Sequence, residues 1–248
     1  MLKIELVSLR SNLKMAKRHS IFVEMINHSC SDIILFCGHS LMKEDEVYVL
    51  NREIANKNVT VLFEVREIEE SEFVKFKHGL FIVEQAKPRN LFTNQLFSTH
   101  DEIDNNEMLC ERFIHELENK RHFVIKGKSI LILQCGELNI LKNLQGKDNQ
   151  PIFRLYQRED LRMRFEKILE KTDFVLNPIH TPMGNQPKMH KRRELLSSEN
   201  RYYFSVSQNG EWRMDAKGLQ YAYHNGKKIY ENNIEVTDDY QIRFYLIE

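Results

Sequence analysis

The 248-residue sequence has no net charge, because 36 lysines and arginines balance 36 aspartates and glutamates. Proteins that hold nucleic acid or an anionic membrane normally carry a basic excess, since lysine and arginine make the phosphate contacts. Neither nucleic acid nor membrane is therefore expected as a partner. Self-association meets little charge repulsion, so a homo-oligomer or a partner protein is expected instead. Long apolar runs are also missing. Nothing approaches the roughly 20 apolar residues of a spanning helix, and the opening MLKIELVSLR lacks the apolar stretch of a signal peptide. Cysteine is scarce. Cys30, Cys37, Cys110 and Cys135 fit neither a disulfide framework nor a paired CxxC zinc module. A soluble protein of a reducing, cytoplasmic compartment is the expectation. Repeats, low-complexity tracts and linkers are absent as well, so residues 1–248 read as a single domain.

What is present is enough apolar material for a sizeable core, 42% of the chain, arranged as short runs that alternate with helical segments. Ile4 to Leu9 reads as a strand. Ser11 is placed to cap a helix that carries Leu13, Ala16, Val23 and Ile26 on one face. Asp32 to Cys37 (DIILFC) has the continuous apolar character of a strand covered on both faces. A helix from about Glu46 to Asn56 leads to a strand from Val59 to Val65. Phe73 to Val83 forms one or two strands, with Phe73, Phe76 and Phe81 in the core, and 86–105 reads as irregular. A helix from about Glu107 to Glu118 precedes two strands, His122 to Ile125 and Ser129 to Cys135, joined by a tight Lys-Gly-Lys turn.

Leu141 to Pro151 reads as a polar loop, Gln157 to Glu170 as an amphipathic helix, and Thr172 to Asn177 as a buried strand ended by Asn177-Pro178. A helix from about Lys188 to Ser198 includes the basic run KMHKRR, which reads as its solvated face. Tyr202 to Ser207 is strand-like, and residues 210–248 read as terminal hairpins. The β-α-β order followed by antiparallel pieces predicts an α/β fold with mixed sheets and helices outside.

Three strand ends carry chemistry. Cys135 ends the apolar run ILILQ, and Gly136 behind it lets backbone approach a ligand. A nucleophilic thiol needs a neighbour to take its proton, and Glu137 is the local candidate. The plainer alternative is a small buried hydrophobe. Cys37-Gly38-His39 ends a second strand, and the Asn177–Thr181 segment (NPIHT), with His180, follows a third. Ligands gather beyond the carboxyl ends of strands in such sheets. Cys37, His39, Cys135 and His180 would make a soft metal set, but nothing in their spacing fixes it. No metal and no cofactor are expected.

Taken in order, these segments resemble the nitrilase superfamily of carbon–nitrogen hydrolases. DIILFCGH resembles its D-hhh-F-P-E strand, and TNQLF with Glu102 resembles its lysine segment. QCGE resembles its nucleophile strand, and NPIHTPMG followed by RRELLSSENRYYFSVS resembles its downstream portion. The resemblance covers roughly residues 1–210. It implies a nitrilase-like α-β-β-α sandwich. It also implies a glutamate base, an oxyanion-binding lysine and a nucleophilic cysteine. Cys135 matches the cysteine and Glu102 the family's supporting glutamate. Gly38 stands where the base is expected, and Thr93, or Asn94 in a shifted register, where the lysine is expected.

A missing cation removes an effect on the order of 3 kcal/mol or more. His39 can stand in as base, and Asn94 or Gln95 as oxyanion donor. Two functions follow. One is a divergent thiol-dependent hydrolase or transferase. It would act on an amide-like C–N bond of a small molecule through Cys135, with Glu137, His39 and Glu102 assisting and Asn94, Gly136 and His180 lining the substrate site. The other is a catalytically degenerate binding or assembly module.

Overall fold

The computed structural model of the protein describes residues 1–67, 77–144, 149–181, 189–210 and 218–248. Its strands are those in which apolar side chains can be buried on both faces. In β1 (Leu2–Leu9), β2 (Ile33–Phe36) and β10 (Phe174–Ile179), almost every residue is buried, as expected for strands in the middle of a layered α/β fold.

Two sheets result. The first has the order β14-β15-β1-β2-β3-β4-β5. It contains β3 (Thr60–Glu67), β4 (Lys77–Glu84), β5 (Lys87–Asn94), β14 (Asn233–Val236) and β15 (Tyr240–Ile247). Its strands β1, β2 and β3 are parallel, and the pairs toward both edges are antiparallel. The second has the order β13-β12-β11-β10-β7-β6. It contains β6 (His122–Ile125), β7 (Lys128–Ile132), β11 (Tyr202–Ser207), β12 (Gln220–His224) and β13 (Lys227–Ile229). Its β7, β10 and β11 are parallel.

The sheets pack face to face. Ile4, Leu6, Ile132, Leu176, Phe204 and Val206 belong to one core between them. Gln220 crosses that layer to donate to the Leu6 carbonyl and the Ser8 hydroxyl. The helices α1 (Met15–His28) and α2 (Glu44–Glu53) cover the outer face of the first sheet, with Phe22 against Phe36 and Phe63. Helices α4 (Glu107–Lys120) and α5 (Glu159–Glu170) cover the second, where Phe113, Phe165, Leu131 and Val175 form a separate core. The layering is α-β-β-α, the expected sandwich. Each fully buried Leu, Ile or Phe contributes about 1.5–3 kcal/mol, so this three-interface arrangement is held chiefly by apolar burial.

Several sequence expectations are corrected. Residues 86–105 are not irregular: β5 and a short α3 (His100–Ile103) lie there. β5 alternates exposed and buried positions around Pro88, and proline suits the edge strand that it proves to be. The polar stretch after Leu141 contains a small hairpin, β8 (Leu141–Asn143) with β9 (Pro151–Phe153). Ser11 does not cap α1, which starts four residues later at Met15 behind Lys14. The KMHKRR run is not simply a solvated face. Of its described residues, Arg193 is fully buried over the Tyr221 ring and Arg192 donates to Leu138 and Asn139 of a 3₁₀ turn, Cys135–Ile140. Phe81 is buried, whereas Phe73 and Phe76 lie outside the described residues. The Lys126-Gly127 turn has both residues at positive φ (52° and 77°), as a tight hairpin turn requires.

The parallel strands of both sheets deliver their carboxyl ends to one place. The amide of Gly38, after β2, donates to the carbonyl of Ile179 at the end of β10 (3.0 Å). Between them runs a 3₁₀ turn, Cys135–Ile140, that continues from β7. At its start a Cβ on Gly136 would collide with the Ser98 backbone. Replacing Gly136 by Ala forces that backbone to shift. The expected result is a loss of about 1–3 kcal/mol in urea unfolding, with no comparable loss for Gly210→Ala, where a Cβ meets nothing within 4 Å among the described residues.

Candidate active site

Two polar clusters are built into this junction, and Gln134 joins them. The first is centred on Glu64. In β3, Leu62 and Glu64 alternate with Phe63, which packs on α1, so Glu64 points into the layer between the sheets. It is fully buried. A carboxylate there is tolerated only if it is paired and hydrogen-bonded. Its Oε1 accepts from Gln134 Nε2 (2.7 Å), and its Oε2 meets His180 Nε2 (2.5 Å). His180 follows β10 directly. Burial disfavours its protonation, but the Glu64 charge and hydrogen bonds to Cys135 and Glu64 outweigh burial and push its pKa up to about 10. Cys135, the first residue of the 3₁₀ turn, thus shares the imidazole with Glu64. It is partly accessible, whereas Cys37 and Cys110 are buried and burial raises their thiols to about 11 and 12.

Gly38 makes this arrangement possible. A Cβ there would run into the His180 ring and stand 2.7 Å from Glu64 Oε2. The imidazole fills the space that a side chain at position 38 would take. His39 lies alongside, its ring stacked on that of His180 at 3.8 Å with 10° between the planes. Its backbone is left-handed (φ 57°). Its carbonyl is fixed by the fully buried Arg18 of α1 (3.0 Å) and by Gln208 after β11 (2.9 Å).

His39, Glu64 and His180 bring possible ligand atoms within 4.8 Å of one another. The two imidazoles are nearly parallel, however, so their in-plane lone pairs run side by side rather than converge on one ion. His180 Nε2 already faces Glu64. The geometry therefore suits a hydrogen-bonded proton relay better than a metal. Cys37 is sealed in the core and accepts from the Leu9 amide (3.4 Å).

The second cluster is centred on Arg121 and Glu137, both fully buried and 2.5 Å apart. Glu137 also accepts from the amides of Gln134 (2.8 Å) and Leu96 (2.9 Å). Arg121 donates to the Thr93 hydroxyl (2.7 Å) and to the Asn94 carbonyl. A buried ion pair is stable only when its remaining donors and acceptors are satisfied, and here they tie the end of β5 to the 3₁₀ turn. Glu137 is thus committed to Arg121 and to backbone amides. Glu102 is exposed and accepts from the Ser98 amide (2.7 Å). Asn94 is half-buried and is engaged through its carbonyl.

The structure therefore brings Cys135, His180 and His39 together. Glu137, Glu102, Asn94 and Gly136 fall in or beside the supporting cluster. Glu64, Gln134 and Arg121 were not singled out from sequence. Glu64 carried a signal: it is the lone acid inside the apolar run VTVLFEV, at a position where alternation buries it. Arg121, just past a helix end, carried none.

No family model matches the sequence, and no curated protein matches it. Solved structures do. A CN-hydrolase superfamily protein from Xanthomonas campestris, described with an arsenic adduct in its active site, is 12% identical. The alignment covers 98% of this chain and 89% of that one, with a TM-score of 0.52. An amidase from Nesterenkonia sp. is 7% identical over 98% of this chain and 90% of its own, with a TM-score of 0.58. A glutamine-dependent NAD(+) synthetase from Cytophaga hutchinsonii is 12% identical, and the match spans 98% of this chain but 42% of the synthetase, with a TM-score of 0.52. The chain therefore has the nitrilase-type sandwich fold of the carbon–nitrogen hydrolase superfamily.

Proposed function

We propose that this protein is a thiol-dependent hydrolase or transferase acting on an amide-like C–N bond of a small molecule, with Cys135 as nucleophile, His180 as proton carrier and Glu64 as the carboxylate that orients and charges His180. The observation that carries this reading is the Glu64–His180 contact with Cys135 hydrogen-bonded to the same ring. A nucleophile, a base and a third group that orients the base form the recurrent logic of acyl transfer, whatever the fold.

The chemistry balances with these groups alone. The Cys135 sulfur attacks the carbonyl carbon. The C–N bond then breaks, the His180 proton passes to the departing nitrogen, and the acyl group remains on sulfur as a thioester. Water gives a proton back to His180 as it attacks that thioester, releasing the acid and restoring the starting pair. An amine in place of water would make the reaction a transfer. A mutant of the Nesterenkonia amidase has been described with acrylamide added to its active-site cysteine by Michael addition, which supports the use of thiol probes.

A second reading, a binding or assembly module without turnover, is favoured by one observation. The cation beside Thr93 is Arg121, and it is tied to Glu137. The experiments separate the two.

With iodoacetamide near pH 6, Cys135 is expected to label faster than the exposed Cys30. Cys37 and Cys110 stay unlabelled in the folded protein. His180→Ala and Glu64→Gln should each slow Cys135 labelling by about tenfold or more; equal rates in all three proteins would remove the relay. Against a panel of small amides, Cys135→Ala should abolish turnover and His180→Ala should lower it by about a hundredfold or more. A panel that yields no turnover with wild-type protein, despite fast Cys135 labelling, would favour the binding module.

The ion pair also makes stability depend on pH. The pKa of His180 is raised in the folded state from its ordinary 6.5 to about 10. Its contribution is therefore complete below about 6.5 and is lost as pH rises through about 10. Thermal unfolding midpoints should fall across that window in wild type and fall less in Glu64→Gln.

A further inference from the structure

We infer that a cavity on the outer face of the first sheet, between α1 and the β14–β15 hairpin, binds a small organic cation: an ammonium carried on an apolar stem, held by Glu5.

The cavity measures about 590 Å³, within the usual range for small-ligand sites. Its floor is Glu5 of β1. Ser8, of opposite parity to Glu5, meets Gln220 of the second sheet, so Glu5 points the other way, toward α1. Glu5 is only 4% exposed. Both of its hydroxyl donors, Ser29 (2.8 Å) and Ser31 (2.7 Å), bind the same oxygen, Oε1. Among the described residues no donor reaches Oε2, and no lysine, arginine or histidine forms an ion pair with this carboxylate.

The surroundings make matters worse for an unpaired negative charge. Burial raises the pKa of Glu5; the hydrogen bonds from Ser31 and Ser29 oppose that rise, and the nearby Glu235 adds to it. Glu235 is itself held at the rim by the Tyr240 hydroxyl (2.6 Å). Glu24 of α1 lines the same cavity, as do Met25, Ile242 and Phe244. Lys3 and His28 also border it. The Lys3 ammonium stands outside ion-pair range of Glu5, and the His28 Nδ1 is turned to its own helix at the Glu24 carbonyl (3.0 Å).

A carboxyl group held by two hydroxyls on one oxygen and open on the other can take a proton or a cation there, and an ammonium that donates to Oε2 would offset the cost of burying its charge. The apolar walls leading to it suit a narrow aliphatic or aromatic stem better than an inorganic ion, which would need more oxygen ligands. None of these residues belongs to the Cys135 site. The inference therefore stands or falls apart from the proposed chemistry.

Isothermal titration of the intact protein with n-hexylammonium chloride, and separately with hexan-1-ol, tests it. Hexylammonium should bind one to one and hexanol at least about tenfold more weakly. In amide NMR spectra the shifts should concentrate at Ser29, Ser31 and Phe244. Glu5→Gln, which keeps an oxygen for the two serines, should weaken hexylammonium by about tenfold or more and leave hexanol unchanged. Should that variant fail to fold, Glu235→Gln at the rim should still weaken hexylammonium and not hexanol. No binding overturns the inference. So do equal affinities for amine and alcohol, shifts mapping elsewhere, or variants that bind the amine as wild type does.

Discussion

Glu64 sets the terms for the centre of this molecule. A carboxylate in the layer between two apolar sheets cannot stay ionised without company, and its partners come from the other sheet. Gln134 reaches it from the end of β7 and His180 from the end of β10. The ends of β7 and β10 are thereby registered against the middle of β3 by a few short polar contacts. The same contacts bring Cys135, one residue beyond Gln134, to the imidazole. Breaking the pair by removing one member would leave the other charged and buried, the costly way to lose such an interaction. The contacts that register the strands are thus the same ones that set the thiol beside the imidazole.

The Arg121–Glu137 pair works differently. It is equally buried, but it fastens backbone: the amides of Gln134 and Leu96 and the carbonyl of Asn94 all end on it. It thereby holds the 3₁₀ turn that begins with Cys135 against the end of β5. Of the two buried pairs, one touches the thiol's partner and the other holds the turn on which the thiol sits.

Much of the sandwich was legible in the sequence because the hydrophobic pattern speaks for strands covered on both faces. DIILFC, the ILIL run before Cys135, and YYFSVS need no neighbours to be recognised. The missed elements were those whose burial is one-sided or brief, such as β5, with its proline and alternating exposure, and the β8–β9 hairpin. The helix face containing Arg192 and Arg193 misled for another reason. Charge in a sequence looks solvated, but Arg193 lies over the Tyr221 ring far along the chain. The candidate site was half legible. Cys135, His39 and His180 stand at strand ends, where position alone points to them. Glu64 sits inside a strand, and its meaning depends on Gln134 and His180, respectively 70 and 116 residues away. No local pattern encodes such a meeting.

Gly38 has a consequence for how this sequence can change. The His180 ring occupies the volume into which any side chain at position 38 would grow. The two positions therefore compete for one space, and the effect of a substitution at either depends on what the other holds. A glutamate at 38 is compatible with this backbone only after His180 has been replaced or displaced. The reverse step requires the glycine first. Exchanging a side chain at position 38 for one at position 180 is thus a passage through a paired change, with single-step intermediates either crowded or left with an unfilled space.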